Sequence, residues 1–564
     1  MDQNLLAAVE GGHDKLASLS SGENVLSPST EDPLWWRHAV IYQVYVRSFA
    51  DGNGDGTGDI AGLRSRLPYL AALGIDAIWI TPWYASPLAD GGYDVSDYRA
   101  IHPDFGTIEE AELLIAEGLE LGIRTIIDVV PNHLSDQHAW FKEALAAGPG
   151  SPERERFWFV DSEDIPNHWV SPFDGETWTQ TTNEDGTPGQ WYLHLFTPEQ
   201  PDVNWNHPDV RKEYEDVLKF WFDRGVGGVR IDSAALLIKD PELSEVVGEP
   251  AAGEHPWQDR DELHEVYASW RAIADSYPGA RALVGELWLP DVERFVQYMR
   301  PNELHTAFNF DFMSRQWSAQ QVRESIDMTL NAHEPVGAPS TWVLSNHDVT
   351  RPVTRLGRED STFSFLTKEF NTPTDLELGT RRSRAAALLT AALPGSLYIY
   401  QGDELGLPEV ENIPRNKIDD PMHFKSGGTK PGRDGCRVPL PWTREGSSYG
   451  FGEDGASSAW LPQPHGWANL SVEAQLEDDN SMLALYTRAI KIRHESADLR
   501  EGGFTWLTSE PGVVAFRRGE SLTCITNFAD QPVRLPDGAR VLLVSDELVD
   551  GELPQDATAW LAAK

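Results

Sequence analysis

Three short segments of the chain each end in an acidic side chain after an apolar run. They are Gly228-Val-Arg-Ile-Asp232, Val284-Gly-Glu286 and Ser345-Asn-His-Asp348. Carboxyl groups can act as nucleophiles, as proton donors or as stabilisers of positive charge, and reactions that combine these roles need the acids close together. The fold must therefore contain elements that bring Asp232, Glu286 and Asp348 to one place.

The apolar residues before each acid predict buried parallel strands. The runs at 226–231, 282–284 and 341–344 are short and rich in β-branched residues, as strands covered on both faces are. Candidate strands occur at 40–46, 75–80, 124–129, 226–231, 282–285, 306–309, 341–345 and 397–400. Helical patterns separate several of them, for example at 108–121, 210–222 and 381–392. This alternation predicts an α/β fold, a closed (β/α)₈ TIM barrel, whose active site lies at the carboxyl ends of the strands.

Breaks in the alternation predict further domains. Residues 134–206 are rich in Pro, Trp, Asp and Thr and predict an inserted loop domain after the third strand, while 409–474 form a second irregular stretch that we expect to wall the cleft. Short strands at 504–507, 513–517, 523–527 and 540–544 predict a small antiparallel C-terminal β domain. The predicted organisation is a flexible leader at 1–32, the barrel at 33–133 and 207–496, the inserted domain at 134–206, and the C-terminal domain at 497–564.

The composition of the chain limits the kinds of molecule that it can bind. The formal charge of −43, from 46 basic and 89 acidic residues, argues against nucleic acid and anionic membrane and favours a neutral small-molecule substrate. The two cysteines, Cys436 and Cys524, offer no disulfide framework, and no apolar run approaches the roughly 18 residues of a membrane span. We therefore expect a cytoplasmic protein. A monomer and a homodimer are both compatible with this sequence.

A loop after the first predicted strand has the pattern of a cation site. Oxygen-bearing residues alternate with glycines there, at Asp51, Asn53, Asp55, Thr57 and Asp59. Hard cations such as Ca²⁺ and Mg²⁺ prefer oxygen ligands, whereas acidic groups would repel a phosphate. The loop predicts a structural Ca²⁺ or Mg²⁺, with an unmetallated Asx-turn as the alternative.

Several segments together resemble glycoside hydrolase family 13, the α-amylase family. Its four signature segments are similar, in order, to Asp128-Val-Val-Pro-Asn-His133, Gly228-Val-Arg-Ile-Asp232, Gly285-Glu286 and Asn346-His-Asp348. The segments Gln200-Pro-Asp-Val-Asn204 and Arg437-Val-Pro-Leu-Pro-Trp442 resemble signatures of its α-glucosidase and oligo-1,6-glucosidase branch. That branch commonly has Met and Gln where this chain has Leu440 and Pro441. The resemblance runs from about Trp35 to the C-terminus.

The resemblance implies catalytic roles for the three acids. Asp232 matches the family's nucleophile, Glu286 its acid/base, and Asp348 the third acid, which holds substrate hydroxyls and stabilises positive charge. Retaining cleavage of a glycosidic bond needs a carboxylate that attacks and an acid that protonates the leaving oxygen, about 5 to 5.5 Å apart. Arg230, two residues before Asp232 on a strand, faces the same way and can keep the nucleophile ionised.

Seven residues are predicted to bind the substrate: Asp90, Tyr93, His133, Arg230, Ser233, His347 and Arg437. In related enzymes an Asp equivalent to Asp90 and an Arg of the Arg437 motif close the pocket behind the terminal glucose. A pair between Asp90 and Arg437 would restrict the enzyme to single glucose units at the non-reducing ends of chains.

Ser233 bears on linkage preference. In the related branch a small residue directly after the nucleophile correlates with α-1,4 activity and Val with α-1,6 activity. The sequence thus predicts an exo-acting α-glucosidase that hydrolyses short α-1,4-glucosides such as maltose. The alternatives are an oligo-1,6-glucosidase, a transglucosylating enzyme, and a sucrose- or trehalose-acting glucosyltransferase or isomerase.

Overall fold

The computed structural model describes residues 32–183, 185–364, 368–455 and 457–562. Of the predicted leader at 1–32, all but Asp32 lies outside the described residues. The strands are β1 (Val40–Val44), β2 (Ala77–Ile80), β3 (Tyr84–Ala85), β4 (Asp97–Ile101), β5 (Arg124–Val129), β6 (Phe159–Val160), β7 (Trp178–Thr182), β8 (Pro188–Leu193), β9 (Gly228–Ile231), β10 (Ala282–Gly285), β11 (Thr306–Ala307), β12 (Thr341–Val343), β13 (Ser396–Tyr400), β14 (Phe504–Trp506), β15 (Val513–Arg518), β16 (Leu522–Asn527), β17 (Val533–Arg534), β18 (Arg540–Val544), β19 (Glu552–Leu553) and β20 (Ala557–Ala562).

The α-helices alternate with the barrel strands or flank them. They are α1 (Ile60–Leu73), α2 (Ile108–Glu120), α3 (Ala139–Ala147), α4 (Pro208–Phe222), α5 (Leu263–Asp275), α6 (Val292–Gln297), α7 (Phe310–Ser314), α8 (Ala319–His333), α9 (Pro352–Leu356), α10 (Leu376–Ala392), α11 (Pro421–Lys425), α12 (Val472–Leu476), α13 (Met482–Glu495) and α14 (Ala497–Glu501). Local sequence fixes where many of them begin. For example, Thr107 and Glu110 form a capping box at the start of α2, and Asp59 caps α1 by accepting the Gly62 N–H.

Eight parallel strands form the barrel sheet in the order β11-β10-β9-β5-β2-β1-β13-β12. The predicted barrel and all eight predicted strands are confirmed, although several strands are shorter than predicted. The sixth ends at Ala307 because Asn309 instead caps α7, where its side chain accepts the Phe312 N–H. Every residue of β1, β2, β5, β9 and β10 is buried, as the continuous apolar runs predict.

The backbone ladder leaves one gap in the barrel wall, between β11 and β12. Threonine side chains bridge this seam. The Thr341 hydroxyl donates to the Ala307 carbonyl at 2.8 Å and accepts the Asn309 N–H at 2.9 Å, and the Thr306 hydroxyl donates to the Pro339 carbonyl at 3.1 Å.

Segments outside the barrel form small antiparallel sheets. The inserted segment folds as a three-stranded sheet in the order β6-β8-β7 over a cluster of Trp and Phe side chains. The C-terminal sheet has the order β14-β15-β16-β20-β18, with β20 packed on α10 through hydrogen bonds from Trp560 and Thr558 to helix carbonyls. In the described part of the chain, no helix is long and apolar enough to cross a bilayer.

Candidate active site

Adjacent barrel strands bring the acids together at the carboxyl end of the barrel. Asp128 in β5 is in register with Arg230 in β9, and Asp232 and Glu286 directly follow β9 and β10. Asp348 lies five residues beyond the end of β12. The sequence pattern therefore succeeds because neighbouring parallel strands end at one rim.

One buried arginine holds three of these carboxylates. Arg230 Nη1 lies 2.8 Å from Asp128 and 2.7 Å from Asp232, and its Nη2 lies 2.7 Å from Glu286. A single planar guanidinium thus holds an oxygen of both Asp232 and Glu286. One positive charge serves three carboxyl groups, so the site favours protonation of one of them.

Burial raises the proton affinity of both Asp232 and Glu286. It raises the pKa of Asp232 to about 6 and that of Glu286 to about 7, because the attraction of Arg230 only partly offsets the loss of water. The Asp232 and Asp348 charges add to the increase at Glu286. Glu286 therefore retains a proton at a higher pH than Asp232, as an acid paired with an ionised carboxylate requires.

At Asp348 the effect of neighbouring charges on the pKa exceeds the effect of burial. Burial alone would raise its pKa, but the guanidinium groups of Arg433, Arg437 and Arg230 outweigh burial and hold the pKa well below its usual range. Arg437 Nη2 lies 2.8 Å and Arg433 Nη1 3.1 Å from Asp348 Oδ1. Asp348 is therefore ionised throughout the ordinary pH range.

The predicted pair between Asp90 and Arg437 is wrong. Asp90 pairs instead with Arg433, whose Nη2 lies 2.6 Å from Asp90 Oδ1, while Arg437 contacts Asp348. Asp420, almost fully buried, fixes Arg433 through bonds of 2.7 and 3.1 Å. Both arginines lie beside the short turn Asp434–Cys436, and only the course of that irregular chain decides which one reaches Asp90.

Tyr93, His133 and His347 form a rigid floor under the site. The Tyr93 ring stacks on His347 with centroids 5.3 Å apart, and its hydroxyl donates to Asp128 at 3.0 Å. His133 Nε2 lies 3.0 Å from the Tyr93 carbonyl oxygen and 3.0 Å from the side-chain nitrogen of Gln200. Burial lowers the pKa of both histidines, so both are neutral and can exchange hydrogen bonds with hydroxyl groups.

Ser233 has a left-handed backbone conformation, with a φ of 47°. This conformation directs its N–H to Glu286 Oε2 at 3.0 Å. Non-glycine residues adopt such angles at a cost, and β-branched residues at a larger one. The residue after Asp232 thus acts directly on the other acid.

A cavity of about 300 Å³ contains most of the predicted residues. Its lining residues are Asp90, Tyr93, His133, Pro172, Phe173, Phe196, Asp232, Ser233, Ala235, Leu236, Trp257, Gln258, Glu286, Trp288, His347, Asp348, Met422 and Arg433. Of the predicted catalytic and substrate-binding residues, Arg230 and Arg437 lie behind the carboxylates instead of in the wall. Arg433, Phe173 and Phe196 line the cavity from the irregular stretches 134–206 and 409–474, but they could not be singled out from the sequence because those stretches have no recognisable period.

The predicted cation ligands share the loop after β1: Asp51, Asn53, Asp55, Thr57 and Asp59. Asp51 accepts the N–H groups of Gly54 at 2.6 Å and Gly56 at 2.9 Å. Across the described residues, no three His, Cys, Asp or Glu side chains gather as a metal site requires. In this loop, carboxylate oxygens accept hydrogen bonds from backbone N–H groups, as they would in a loop without a metal. The structural cation therefore stays a prediction.

Comparison with known families agrees with this arrangement. The family model for the alpha amylase catalytic domain matches residues 43–502. The chain belongs to the α-amylase family. This α-amylase family chain is 33% identical to the oligo-1,6-glucosidase of Parageobacillus thermoglucosidasius, over 92% of its own length and 95% of that protein. It is 34% identical to the trehalose-6-phosphate hydrolase of Escherichia coli (strain K12), over 89% and 92% of the two chains.

A solved structure extends the likeness to the fold. The alpha-glucosyl transfer enzyme XgtA superposes on this α-amylase family chain with a TM-score of 0.81 and 33% identity, covering 94% of this chain and 99% of that one. The chain is an enzyme, a glycoside hydrolase of the α-glucosidase kind.

Proposed function

We propose that the enzyme releases glucose from the non-reducing end of short α-1,4-glucosides such as maltose, with retention. Asp232 attacks the anomeric carbon, and Glu286 donates its proton to the leaving oxygen. Water, activated by the same glutamate, then hydrolyses the glucosyl-enzyme intermediate. Asp348 binds substrate hydroxyls and opposes the positive charge of the transition state.

The observation that carries this proposal is the shared guanidinium of Arg230. Arg230 Nη1 lies 2.7 Å from an Asp232 oxygen, and Arg230 Nη2 lies 2.7 Å from a Glu286 oxygen. Two carboxylates on one guanidinium are compatible with the roughly 5 to 5.5 Å separation of retaining enzymes. The order of the two pKa values supports Glu286 as the acid.

The closed end of the cavity supports exo action on short substrates. The charged pair of Asp90 and Arg433 lies in the wall, with Asp420 behind it. Charged groups fixed in this way can bind the hydroxyls of a terminal glucose. A volume of about 300 Å³ lies at the small end of the range for ligand sites, about 300–1,000 Å³.

The first test is glucose release from 4-nitrophenyl α-glucoside by wild type and by Asp232→Asn. We expect the variant to lose at least about 10³-fold in kcat, while Asp537→Asn, an identical change in the exposed turn between β17 and β18, keeps full activity. Equal activity of Asp232→Asn and wild type would refute the nucleophile assignment.

Linkage is tested separately with maltose, isomaltose, sucrose and trehalose. We expect the highest kcat/KM on maltose, because Ser233 is small. A large preference for isomaltose would establish the oligo-1,6-glucosidase alternative, which the name of the Parageobacillus relative favours. Oligosaccharide products at high sugar concentration would establish transglucosylation, which the name of the XgtA structure favours.

A further inference from the structure

A second cavity, of about 270 Å³, lies between the segment that follows β10 and the helices α6, α7 and α8. Most of its lining residues are apolar, and they include Leu287, Leu289, Phe295, Phe310 and Met328. An apolar cavity of about 150 Å³ can hold a benzene molecule. The second cavity therefore has room for a substituted ring or a short alkyl chain.

His333, at the end of α8, contributes a polar atom to the lining of this cavity. The residue is 3% exposed, and burial lowers the pKa of its imidazole to about 4, so the ring is neutral. Within the described residues, its Nδ1 is buried and has no hydrogen-bond partner. A buried nitrogen without a partner costs free energy, and an occupant with a hydroxyl could supply the missing bond. A hydroxyl suits either tautomer of the ring, because it can both donate and accept.

The charges around the second cavity favour a neutral occupant. No Lys or Arg is among the described residues that line it. Asp311, which does line it, is already bound by Arg315 Nη2 at 2.7 Å and by the Ser325 hydroxyl at 2.6 Å. The Asn309 amide in the same lining donates to the Thr329 hydroxyl at 2.9 Å. An anion would therefore find no counter-charge, and the negative charge of Asp311 is already compensated.

Trp288 lines both the second cavity and the substrate cavity. Its indole N–H donates to Glu286 Oε1 at 3.2 Å, and its ring stacks on Phe310 with centroids 3.9 Å apart. The charged side chains that face Glu286 are those of Arg230, Asp232 and Asp348. None of these three lines the second cavity. An occupant of the second cavity would therefore act on Glu286 through the indole ring.

We propose that the second cavity is an effector site, which binds a small neutral molecule with an apolar body and one hydroxyl and acts on Glu286 through Trp288. The hydroxyl bonds to His333, and the apolar body lies against Phe295, Phe310 and Met328. Binding at this site does not depend on the proposed function, whereas the effect on Glu286 rests on it.

The first test is the binding of 4-fluorobenzyl alcohol to the full-length enzyme, measured by ¹⁹F NMR. We expect saturable binding to wild type. Met328→Trp and Ser314→Trp fill the cavity from α8 and from α7, and each should weaken binding at least about tenfold, because a filled cavity has no room for a ring. Met422→Trp, an equal change in the lining of the substrate cavity, should leave this binding in place. Two filling variants keep the test decisive if one of them does not fold.

The role of the hydroxyl is tested with His333→Phe, which keeps a ring and removes its nitrogens. This variant should bind 4-fluorobenzyl alcohol about three- to tenfold more weakly and bind 4-fluorotoluene, which has no hydroxyl, about as well as wild type does. Equal losses for the two probes would refute the bond to His333. Absence of saturable binding to wild type would overturn the site. So would binding that Met422→Trp abolishes and both filling variants retain, because the probe would then lie in the substrate cavity.

The effect on Glu286 is measured as kcat/KM for 4-nitrophenyl α-glucoside with and without saturating 4-fluorobenzyl alcohol. Transfer of glucose to the alcohol follows bond cleavage, so it does not alter kcat/KM. An indole N–H held on Glu286 favours the ionised form, so kcat/KM should fall about twofold or more at pH 8 and change little at pH 6.

The filling variants and the two pH values separate this effect from competition. The fall at pH 8 should persist in Met422→Trp and be absent from Met328→Trp, each compared with its own activity without the alcohol. A fall that is equal at both pH values and persists in Met328→Trp would be competition in the substrate cavity and would refute the link to Glu286. If wild type hydrolyses no glucoside, the proposed function fails while the ¹⁹F binding result still decides the site.

Discussion

Glu286 and Asp232 differ in proton affinity although one arginine binds both. The active form has Asp232 ionised and Glu286 protonated, so kcat/KM should rise as the pH passes about 6 and fall as it passes about 7. The two limbs belong to the coupled pair and not to single residues. We expect a bell-shaped profile with an optimum between pH 6 and 7, measured on an alkyl glucoside under kcat/KM conditions.

Glu286→Gln provides the control for this profile. The variant should retain more activity on 4-nitrophenyl glucoside, whose leaving group needs little protonation, than on maltose. It should also lose the alkaline limb. An unchanged alkaline limb in Glu286→Gln would assign that limb to another group.

Asp232 also carries a stability cost. Burial raises its pKa to about 6, above the roughly 3.9 of an unfolded chain, so the stability linked to its proton is present at low pH and is lost as the pH rises through about 6. Asp232→Asn should therefore stabilise the fold by up to about 3 kcal/mol at pH 8 and change little at pH 4. Thermal unfolding at both pH values measures this, with Asp537→Asn as the control. A lower Tm for Asp232→Asn at pH 8 would contradict it.

At the scale of elements, the turn that ends β9 controls the acid that follows β10. The φ of 47° at Ser233 suits glycine and penalises β-branched side chains, by about 1–3 kcal/mol. Ser233→Val should lower both Tm and kcat/KM, the latter at least tenfold, because the N–H directed to Glu286 moves. Ser233→Gly should keep the Tm within a few degrees of wild type. Equal Tm values for the Val and Gly variants would show that the strain is absent.

Cation binding by the loop after β1 can be measured through its effect on thermal stability. If Ca²⁺ binds Asp51, Asp55 and their neighbours, adding 5 mM Ca²⁺ after chelation should raise the Tm by several degrees, since a ligand of the folded state alone stabilises it. Asp55→Asn should reduce the shift, and Asp104→Asn, on a different exposed loop, should not. A Tm that is indifferent to Ca²⁺ and Mg²⁺ would leave the loop as the set of Asx-turns that the structure describes.

Elements with a strong local sequence pattern could be predicted, and elements fixed by distant contacts could not. The eight barrel strands follow from continuous apolar runs, and the acids follow from the strand ends. The strand Ala557–Ala562 escapes prediction because its alanines have low strand propensity and it is held by α10 and β16. The short pair of β3 and β4, with its register shift, escapes for a similar reason. Arg433 was missed because it lies four residues before the signature segment, which begins at Arg437.

At the scale of the whole molecule, the charge of −43 opposes folding through mutual repulsion of the acids. Salt screens charges separated by more than about 10 Å at 0.1 M and about 3 Å at 1 M. The Tm should therefore rise by several degrees between 0.05 and 1 M NaCl, and the same rise in KCl would identify screening as the cause. A Tm that falls with added salt would show that attractive ion pairs dominate.

The threonine-bridged gap between β11 and β12 is the place where we expect the barrel to open locally. At the seven other boundaries between barrel strands, separation breaks a ladder of backbone hydrogen bonds. At the boundary between β11 and β12, only the hydroxyls of Thr306 and Thr341 form the bridging hydrogen bonds. Amide protons along this boundary should exchange with solvent faster than those of β5 or β9. Because β10 and Glu286 lie one strand away from it, the local opening of the cylinder begins next to the residue that handles the proton.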